Sequence, residues 1–177
     1  QMGGESKRSG GGVDEGLGGA GATVEGNYAP DEEEANAGDV VAGIRKGGGE
    51  AFTRQADVRE ETDVRQMVSE FESKARPVDV LVNNAGILTQ STLAEMSVET
   101  WDETMAVDLR GVFLVTRFAL PGMLEQGSGR IINVASQLGL KGGQELVHYS
   151  AAKGGVIAMT RALAREVSPT VTVNAIA

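Results

Sequence analysis

The segment from Val78 to Gly86 constrains the fold of this chain more than any other part of its sequence. Val78-Asp79-Val80-Leu81-Val82 is almost continuously apolar. A short run of this kind is typical of a parallel strand that is covered on both faces. Asn83-Asn84-Ala85-Gly86 follows directly and supplies polar and small residues. We therefore predict a buried strand that ends in a polar turn.

Strand-like and helix-like patterns alternate along the rest of the chain, which is typical of a parallel sheet flanked by helices. Helices are predicted from Asp31 to Lys46, from Glu61 to about Lys74, from a Ser97 cap toward Pro121 with a bend or break there, and from about Tyr149 to Val167. The second of these carries Val64, Met67, Val68 and Phe71 at helical spacing, so it should lay one apolar face on a sheet. The predicted fold class is α/β, a doubly wound parallel sheet of the Rossmann type.

Composition limits the domain count and the classes of partner. With 177 residues and 41% hydrophobic content, the chain is expected to form a single domain over residues 1–177. The net charge of -9 argues against nucleic acid and against an anionic membrane as partners. The chain has no cysteine and one histidine, so neither a disulfide framework nor a metal site is expected, and a cytoplasmic location is the simplest.

Two further motifs complete a candidate site. Ser136 ends the apolar run Arg130 to Ala135, and Tyr149-Ser150-Ala151-Ala152-Lys153 follows it. With Asn83 to Gly86 and the segments 55–58, 107–113 and 171–175, these motifs make the chain resemble the classical short-chain dehydrogenase/reductase family, within it the members like 3-oxoacyl-carrier-protein reductases. The resemblance runs from about Gly21 to the last residue. It implies a nicotinamide-dependent oxidoreductase that acts on a carbonyl or alcohol substrate.

The residues themselves suit proton transfer. Hydride transfer to a carbonyl carbon requires a proton for the oxygen, and Tyr149 is the candidate donor. Its ordinary pKa is about 10, and Lys153, four residues away on one helical face, is expected to lower it by about three units. The resemblance also implies that Lys153 bonds the nicotinamide ribose. Ser136 is expected to hold the substrate oxygen, the alternative being a serine that only shapes a turn.

Two residues near the candidate site have open roles. Asp108 stands where many family members carry an asparagine in a proton relay. An ionised aspartate accepts but does not donate, so a relay through the side chain would fail, whereas one through its backbone carbonyl and a water would persist. The alternative is a solvated helix residue. His148, beside Tyr149, is expected to line the substrate entrance or face solvent rather than act in catalysis.

The resemblance implies a cofactor site spread along the chain. Its predicted members are Gly4, Ser6, Lys7, Gly10, Asn27, Asp57, Val58, Asn83, Ala85, Gly86, Tyr149 and Lys153. For Asn83 the alternative is a turn former. The second strand lacks an acid at its end, where Asn27 stands, and Lys7 is nearby, so NADP(H) is favoured over NAD(H). Arg8 replaces a glycine of the family's cofactor loop, and residues 1–20 form a degenerate, glycine-rich version of that region.

Three readings of function remain open at the level of sequence. The leading one is a carbonyl reductase that forms a homodimer or homotetramer. The second is a non-catalytic or truncated relative that oligomerises but does not bind dinucleotide, because Arg8 and Asp108 depart from the family pattern and the fold is expected to be incomplete at both ends. The third, an epimerase or dehydratase of the extended branch, is disfavoured by the motif from Asn83 to Gly86.

Overall fold

The computed structural model describes residues 16, 18, 22–29 and 34–177, with the backbone alone for 34–36. The predicted cofactor residues Gly4, Ser6, Lys7 and Gly10, and the Arg8 substitution, lie outside the described residues. The chain divides into two compact units, which are residues 1–57 with 73–75, and residues 58–72 with 76–177. Within the described residues no helix is long and apolar enough to cross a membrane.

The described residues of the first unit include a two-stranded parallel sheet and a helix between its strands. Strand β1 covers Thr23–Tyr28, helix α1 covers Glu34–Lys46 and strand β2 covers Glu50–Gln55. The helix ends where the sequence predicts, at Arg45-Lys46, and Gly48 follows with a φ of +87° that favours glycine. The hydrophobic core of the first unit includes Val24, Val41, Ile44 and Ala51. Asn27 of β1 lies opposite Arg54 of β2 in the parallel register.

The second unit contains a three-stranded parallel sheet and most of the helices. Its strands are β3 (Val80–Asn83), β4 (Gly129–Val134) and β5 (Val171–Ile176), in the order β3-β4-β5. Its helices are α2 (Glu61–Lys74, whose last two residues fall in the first unit), α3 (Val98–Met105), α4 (Val112–Glu125), α5 (Leu138–Lys141) and α6 (Val147–Val167). Met123, Ile131 and Val171 lie at the centre of its main core.

The strand orders confirm the α/β fold class of the Rossmann type. All pairings among the described strands are parallel, as predicted. A doubly wound sheet has the strand order 3-2-1-4-5-6. Within each unit, neighbouring strands of the orders β1-β2 and β3-β4-β5 are joined through helices, as in that fold. The prediction of a single domain over residues 1–177 stays a prediction.

Most predicted helices are confirmed, and one differs in its interior. Helix α2 buries Val64 and Met67 as its periodicity predicts. The Ser97 hydroxyl caps α3 by accepting a hydrogen bond of 3.1 Å from the Thr100 amide. The expected bend or break at Pro121 is not a break, because α4 continues through it to Glu125. The irregularity lies earlier, where residues 106–111 between α3 and α4 form a π-helical turn.

Candidate active site

The ends of neighbouring parallel strands form the candidate site in the second unit. Asn83 is the last residue of β3, and it lies opposite Asn133 of β4. Ser136 follows the end of β4 by two residues. Helix α6 carries Tyr149 and Lys153 one turn apart near its beginning. Open α/β sheets bind ligands outside the carboxyl ends of their strands, so these residues share the edge at which a ligand is expected.

Lys153 is a buried cation with two oxygen partners. Its side chain is only 4% exposed. Its Nζ donates a hydrogen bond of 3.0 Å to the Val134 carbonyl at the end of β4, and it lies 3.4 Å from Oδ2 of Asp108. The same nitrogen is 5.6 Å from the centre of the Tyr149 ring. Lysine is almost never buried without a partner, and here a carboxylate and a carbonyl provide the compensation.

Asp108 is the buried partner of that lysine, so its alternative reading as a solvated helix residue is wrong. It lies in the π-helical turn and is 0% exposed. Its Oδ1 accepts a hydrogen bond of 2.8 Å from the Ile87 amide. Its Oδ2 forms the ion pair with Lys153 but no hydrogen bond of good geometry. Burial raises the pKa of Asp108, although the charge of Lys153 and the Ile87 amide oppose that rise.

Tyr149 does not have the lowered pKa that the sequence predicts. Burial raises the pKa of its hydroxyl, a hydrogen bond with Ser136 opposes the rise, and the negative charge of Asp108 adds to it. Burial is the main physical reason, and Asp108, 3.4 Å from Lys153, adds a negative charge that the sequence argument did not include. Tyr149 therefore holds its proton more tightly in the free protein than an ordinary tyrosine does.

Ser136 contacts both the turn and the tyrosine. Its hydroxyl accepts a hydrogen bond of 3.1 Å from the Leu138 amide at the start of α5, which is the turn-shaping role named as its alternative. The hydroxyl also bonds Tyr149. A serine hydroxyl has one donor and two acceptor positions, so it can make both contacts and still face a substrate oxygen.

Gly86 marks a close approach of the backbone to the ion pair. A Cβ at this position would lie 3.2 Å from Oδ2 of Asp108 and 3.2 Å from Nζ of Lys153. Contacts this short are rare for a real Cβ, so a side chain here would displace the pair. The turn that begins at Asn84 thus passes directly over the charged groups, with Ala85 exposed and Gly86 half-buried.

The Asn83 side chain forms hydrogen bonds in the protein interior. Its Nδ2 donates to Asn133 Oδ1 at 2.8 Å and to Thr116 Oγ1 at 3.0 Å. Asn133 in turn donates to Thr160 Oγ1 at 2.8 Å, and Thr160 donates to the Val156 carbonyl of α6. This chain of hydrogen bonds joins β3 and β4 to α4 and α6, so it positions the strand ends relative to the helix that carries Tyr149.

Sequence reasoning missed the partners of Asn83. The sequence did carry a signal for Asn133, because this residue interrupts the apolar strand Arg130 to Val134. The structure shows that it is completely buried. Thr116 and Thr160 carry no such signal, since a threonine on a helix is unremarkable without knowledge of what lies opposite.

His148 is buried rather than at the surface. It is 0% exposed, so the expectation that it faces solvent is wrong. Its Nε2 shares a hydrogen bond of 3.0 Å with Thr89 Oγ1 of the segment after β3. Helix α6 begins at Val147, and packing on the first turn covers the imidazole.

The remaining predicted cofactor residues are divided between the two units. Asn27 is exposed in β1, and Asp57 follows Ala56, whose amide donates a hydrogen bond of 3.1 Å to the Tyr28 carbonyl. In the second unit, Val58 packs against Gly111, where a Cβ would come within 3.0 Å of its side chain. The structure therefore brings together Ser136, Asp108, Tyr149, Lys153 and Gly86, whereas Asn27 and Asp57 belong to the first unit.

Comparison with known proteins assigns the family. The family model described as short chain dehydrogenase matches residues 12–177. The chain is 45% identical over 152 residues to a 3-oxoacyl-[acyl-carrier-protein] reductase of Synechocystis, which covers 85% of this chain and 61% of that protein. It is 42% identical, with the same coverage, to the 3-oxoacyl-[acyl-carrier-protein] reductase FabG of Staphylococcus aureus.

A third relative has a different name. Nodulation protein G of Azospirillum brasilense is 45% identical over 127 residues, which are 71% of this chain and 52% of that protein. The chain thus spans about three fifths or less of the length of the curated relatives named here. Because the family model matches nearly the whole chain, the chain belongs to the short-chain dehydrogenase family.

Proposed function

We propose that the protein acts as a carbonyl reductase that uses a nicotinamide cofactor, on substrates like those of the 3-oxoacyl-carrier-protein reductases, with alcohol oxidation as its reverse. The cofactor, when bound, supplies or accepts the hydride. Tyr149 gives the substrate oxygen its proton, Ser136 holds that oxygen, and Lys153 provides the positive charge beside the tyrosine. The observation that carries this proposal is the buried Lys153, whose Nζ lies 5.6 Å from the centre of the Tyr149 ring at the end of the parallel strands.

The raised pKa of Tyr149 supports reduction as the favoured direction. A group that holds its proton at neutral pH is ready to act as an acid, whereas oxidation needs it ionised. Burial and the charge of Asp108 both keep the proton on the hydroxyl. We therefore expect the rate of alcohol oxidation to keep rising into the alkaline range, while carbonyl reduction proceeds at neutral pH.

The residues after β3 are suited to a dinucleotide. The backbone at Gly86 lies so close to the ion pair that it leaves no room for a side chain. Because glycine has none, a bound cofactor would be able to pass close to Lys153. In the first unit, Asn27 and Arg54 are register partners, so their side chains share one face of the parallel pair. An arginine beside the strand that carries Asn27 can donate hydrogen bonds to the 2′-phosphate of NADP, which supports NADP(H) over NAD(H).

The first test is a thermal melt of the chain with NADPH and, in parallel, with NADH. At a hundredfold excess over the dissociation constant a specific complex gains about 2.7 kcal/mol, which raises the melting temperature by roughly 5 to 10 °C for a domain of this size. A shift with NADPH supports the reductase and justifies a screen of 3-oxoacyl thioesters. A cooperative melt that neither nucleotide shifts would refute it.

The Tyr149→Phe variant then tests the role of the hydroxyl. It should abolish turnover while it retains the melting shift given by NADPH, because the change removes the proton donor and keeps the ring. Leu140→Ala, which shortens an exposed side chain of α5, is the control variant that should keep both properties. Turnover by Tyr149→Phe at the rate of the unchanged chain would contradict the assignment.

A specific observation favours the non-catalytic alternative as second candidate. Asp108 compensates the charge of Lys153, so less positive charge is left to stabilise the tyrosinate that remains after proton donation. A protein of this kind would act through its surface rather than through catalysis at its site.

Exposed apolar side chains on α4, Phe113 and Leu124, support assembly into a homodimer or homotetramer in either case. Light scattering above micromolar concentration tests this, and a monomer would refute it. The proposal also includes a cytoplasmic location for the protein.

A further inference from the structure

The five residues after Gly86 are attached to the candidate site at three alternate positions. The Ile87 amide donates to Asp108 Oδ1 at 2.8 Å. Thr89 Oγ1 shares a hydrogen bond of 3.0 Å with His148 Nε2. The Ser91 amide donates to the Glu145 carbonyl at 2.9 Å. We call residues 87–91 the anchored segment. Its odd-numbered residues bond to Asp108, the partner of Lys153, to His148, which directly precedes Tyr149, and to Glu145, four residues before Tyr149.

The middle anchor is an unusual use of a histidine. His148 is completely buried, and its Nδ1 has no hydrogen-bond partner among the residues that the structure describes. Burying a polar ring costs free energy unless its nitrogens are bonded, so an apolar ring would fill the same space with a smaller penalty. The bond to Thr89 is the contact that an apolar ring could not make. Because His148 directly precedes Tyr149, that bond fixes the segment one residue away from the proton donor.

The third anchor has a backbone conformation that costs free energy. Glu145 has a φ of +61°, a left-handed conformation that residues with a side chain rarely adopt. Its carbonyl is the acceptor for the Ser91 amide. Backbone conformations of this kind persist where the surrounding structure holds them, and they are frequent at functional sites. The strain therefore coincides with the contact that ends the anchored segment.

We propose that His148 is a positioning residue that, with Asp108 and Glu145, holds the anchored segment as a fixed wall of the substrate site. Leu88 lies between two anchors and is 59% exposed, so it is the apolar surface that this wall offers to a substrate. The inference that this wall contacts the substrate rests on the proposed function. The attachment of the segment through His148 does not, and it can be measured without any substrate.

Hydrogen exchange of the whole chain tests the attachment. Thr89→Val removes the hydroxyl, keeps the shape of the side chain and leaves Asp108 and Tyr149 unchanged. If the three bonds hold the segment together, the Ile87 and Ser91 amides should exchange about fivefold faster, as expected for the loss of one ordinary hydrogen bond. Thr89→Ser keeps a hydroxyl and should restore slow exchange.

Thr92→Val is the matched control, because the Thr92 hydroxyl bonds Glu95 within the same loop and not α6. It should leave exchange at Ile87 and Ser91 unchanged. Unchanged exchange at these two amides in Thr89→Val would overturn the proposal, and so would equal acceleration in Thr92→Val, since the effect would then be a general loosening of the loop.

Kinetics test the role toward substrate. Thr89→Val should raise the KM for a 3-oxoacyl thioester about fivefold with kcat changed less than twofold, and Thr89→Ser should restore KM. An unchanged KM together with faster exchange would overturn the wall as a substrate contact. Absence of turnover in the unchanged chain would refute the proposed function, and the exchange result would still decide the attachment.

Discussion

Replacement of Lys153 by methionine should reveal the buried ion pair as a dependence of stability on pH. Met has a similar length and no charge, so Asp108 would keep its place without a cation. Two unit charges 3.4 Å apart attract each other by about 5 kcal/mol at an effective dielectric constant near 20. Breaking a buried pair by removing one partner typically costs about 3–5 kcal/mol, because the remaining charge is buried without compensation.

The sign of the pH dependence follows from Asp108. In the folded protein its pKa is already raised above the ordinary value, and burial is the main cause. A carboxyl whose pKa is raised by folding destabilises the fold as pH rises through the range between its unfolded and folded pKa. Without Lys153 this pKa rises further. The free energy of unfolding of Lys153→Met should therefore fall by up to about 1.4 kcal/mol for each pH unit above the pKa of an unfolded aspartate, about 3.9.

Urea denaturation at pH 5.5 and pH 8 measures the effect. Between about pH 5.5 and about pH 8, the free energy of unfolding of Lys153→Met should fall by about 2–3 kcal/mol more than that of the unchanged chain. The double variant that also carries Asp108→Asn should remove this extra loss, because no carboxyl is left to ionise. Lys141→Met is the matched control, since Lys141 is exposed and bonds Gln137 at the surface. Parallel pH curves for Lys153→Met and the unchanged chain would refute the ion pair.

Three further predictions concern the site and the cofactor. Asp108→Asn alone should lower the pKa of Tyr149, because it removes a negative charge that raises it, and an ultraviolet absorbance titration of the tyrosinate would show the shift. Asn133→Ala should lower the free energy of unfolding by about 2–4 kcal/mol in urea denaturation, since it leaves a cavity and removes one hydrogen bond from each of two buried polar partners. Arg54→Gln should weaken NADPH binding about tenfold or more in calorimetry and leave NADH binding unchanged, and Lys46→Gln, an exposed cation of the same unit, should change neither.

Local chemistry explains what the sequence determined about the fold. The limits of α2 depend on an apolar stripe at helical spacing, and the start of α3 depends on a serine whose hydroxyl reaches the amide three residues later. The strand that ends at Asn83 is evident from a short apolar run. In each case the residues that decide the structure are neighbours in sequence, so a pattern records them. The parallel pairing of the strands followed from the alternation of strands and helices.

The candidate site was predictable in its members and not in its electrostatics. The spacing of Tyr149 and Lys153 places both on one face of α6, and both lie there. The spacing cannot show that the charge of Lys153 is compensated by Asp108, which is 45 residues earlier in the chain and reaches it through a π-helical turn. The direction of the pKa shift of Tyr149 was therefore wrong when only the nearest charge was considered.

The sequence by itself determined the family, the α/β fold and the identity of the candidate reacting groups, because motif, periodicity and capping are properties of short segments. Only the tertiary structure decided which groups share a buried space. It placed Asn83 against Asn133, 50 residues away, His148 against Thr89, 59 residues away, and Asp108 against Lys153. Burial and charge compensation depend on everything packed around a group, and no local pattern encodes them.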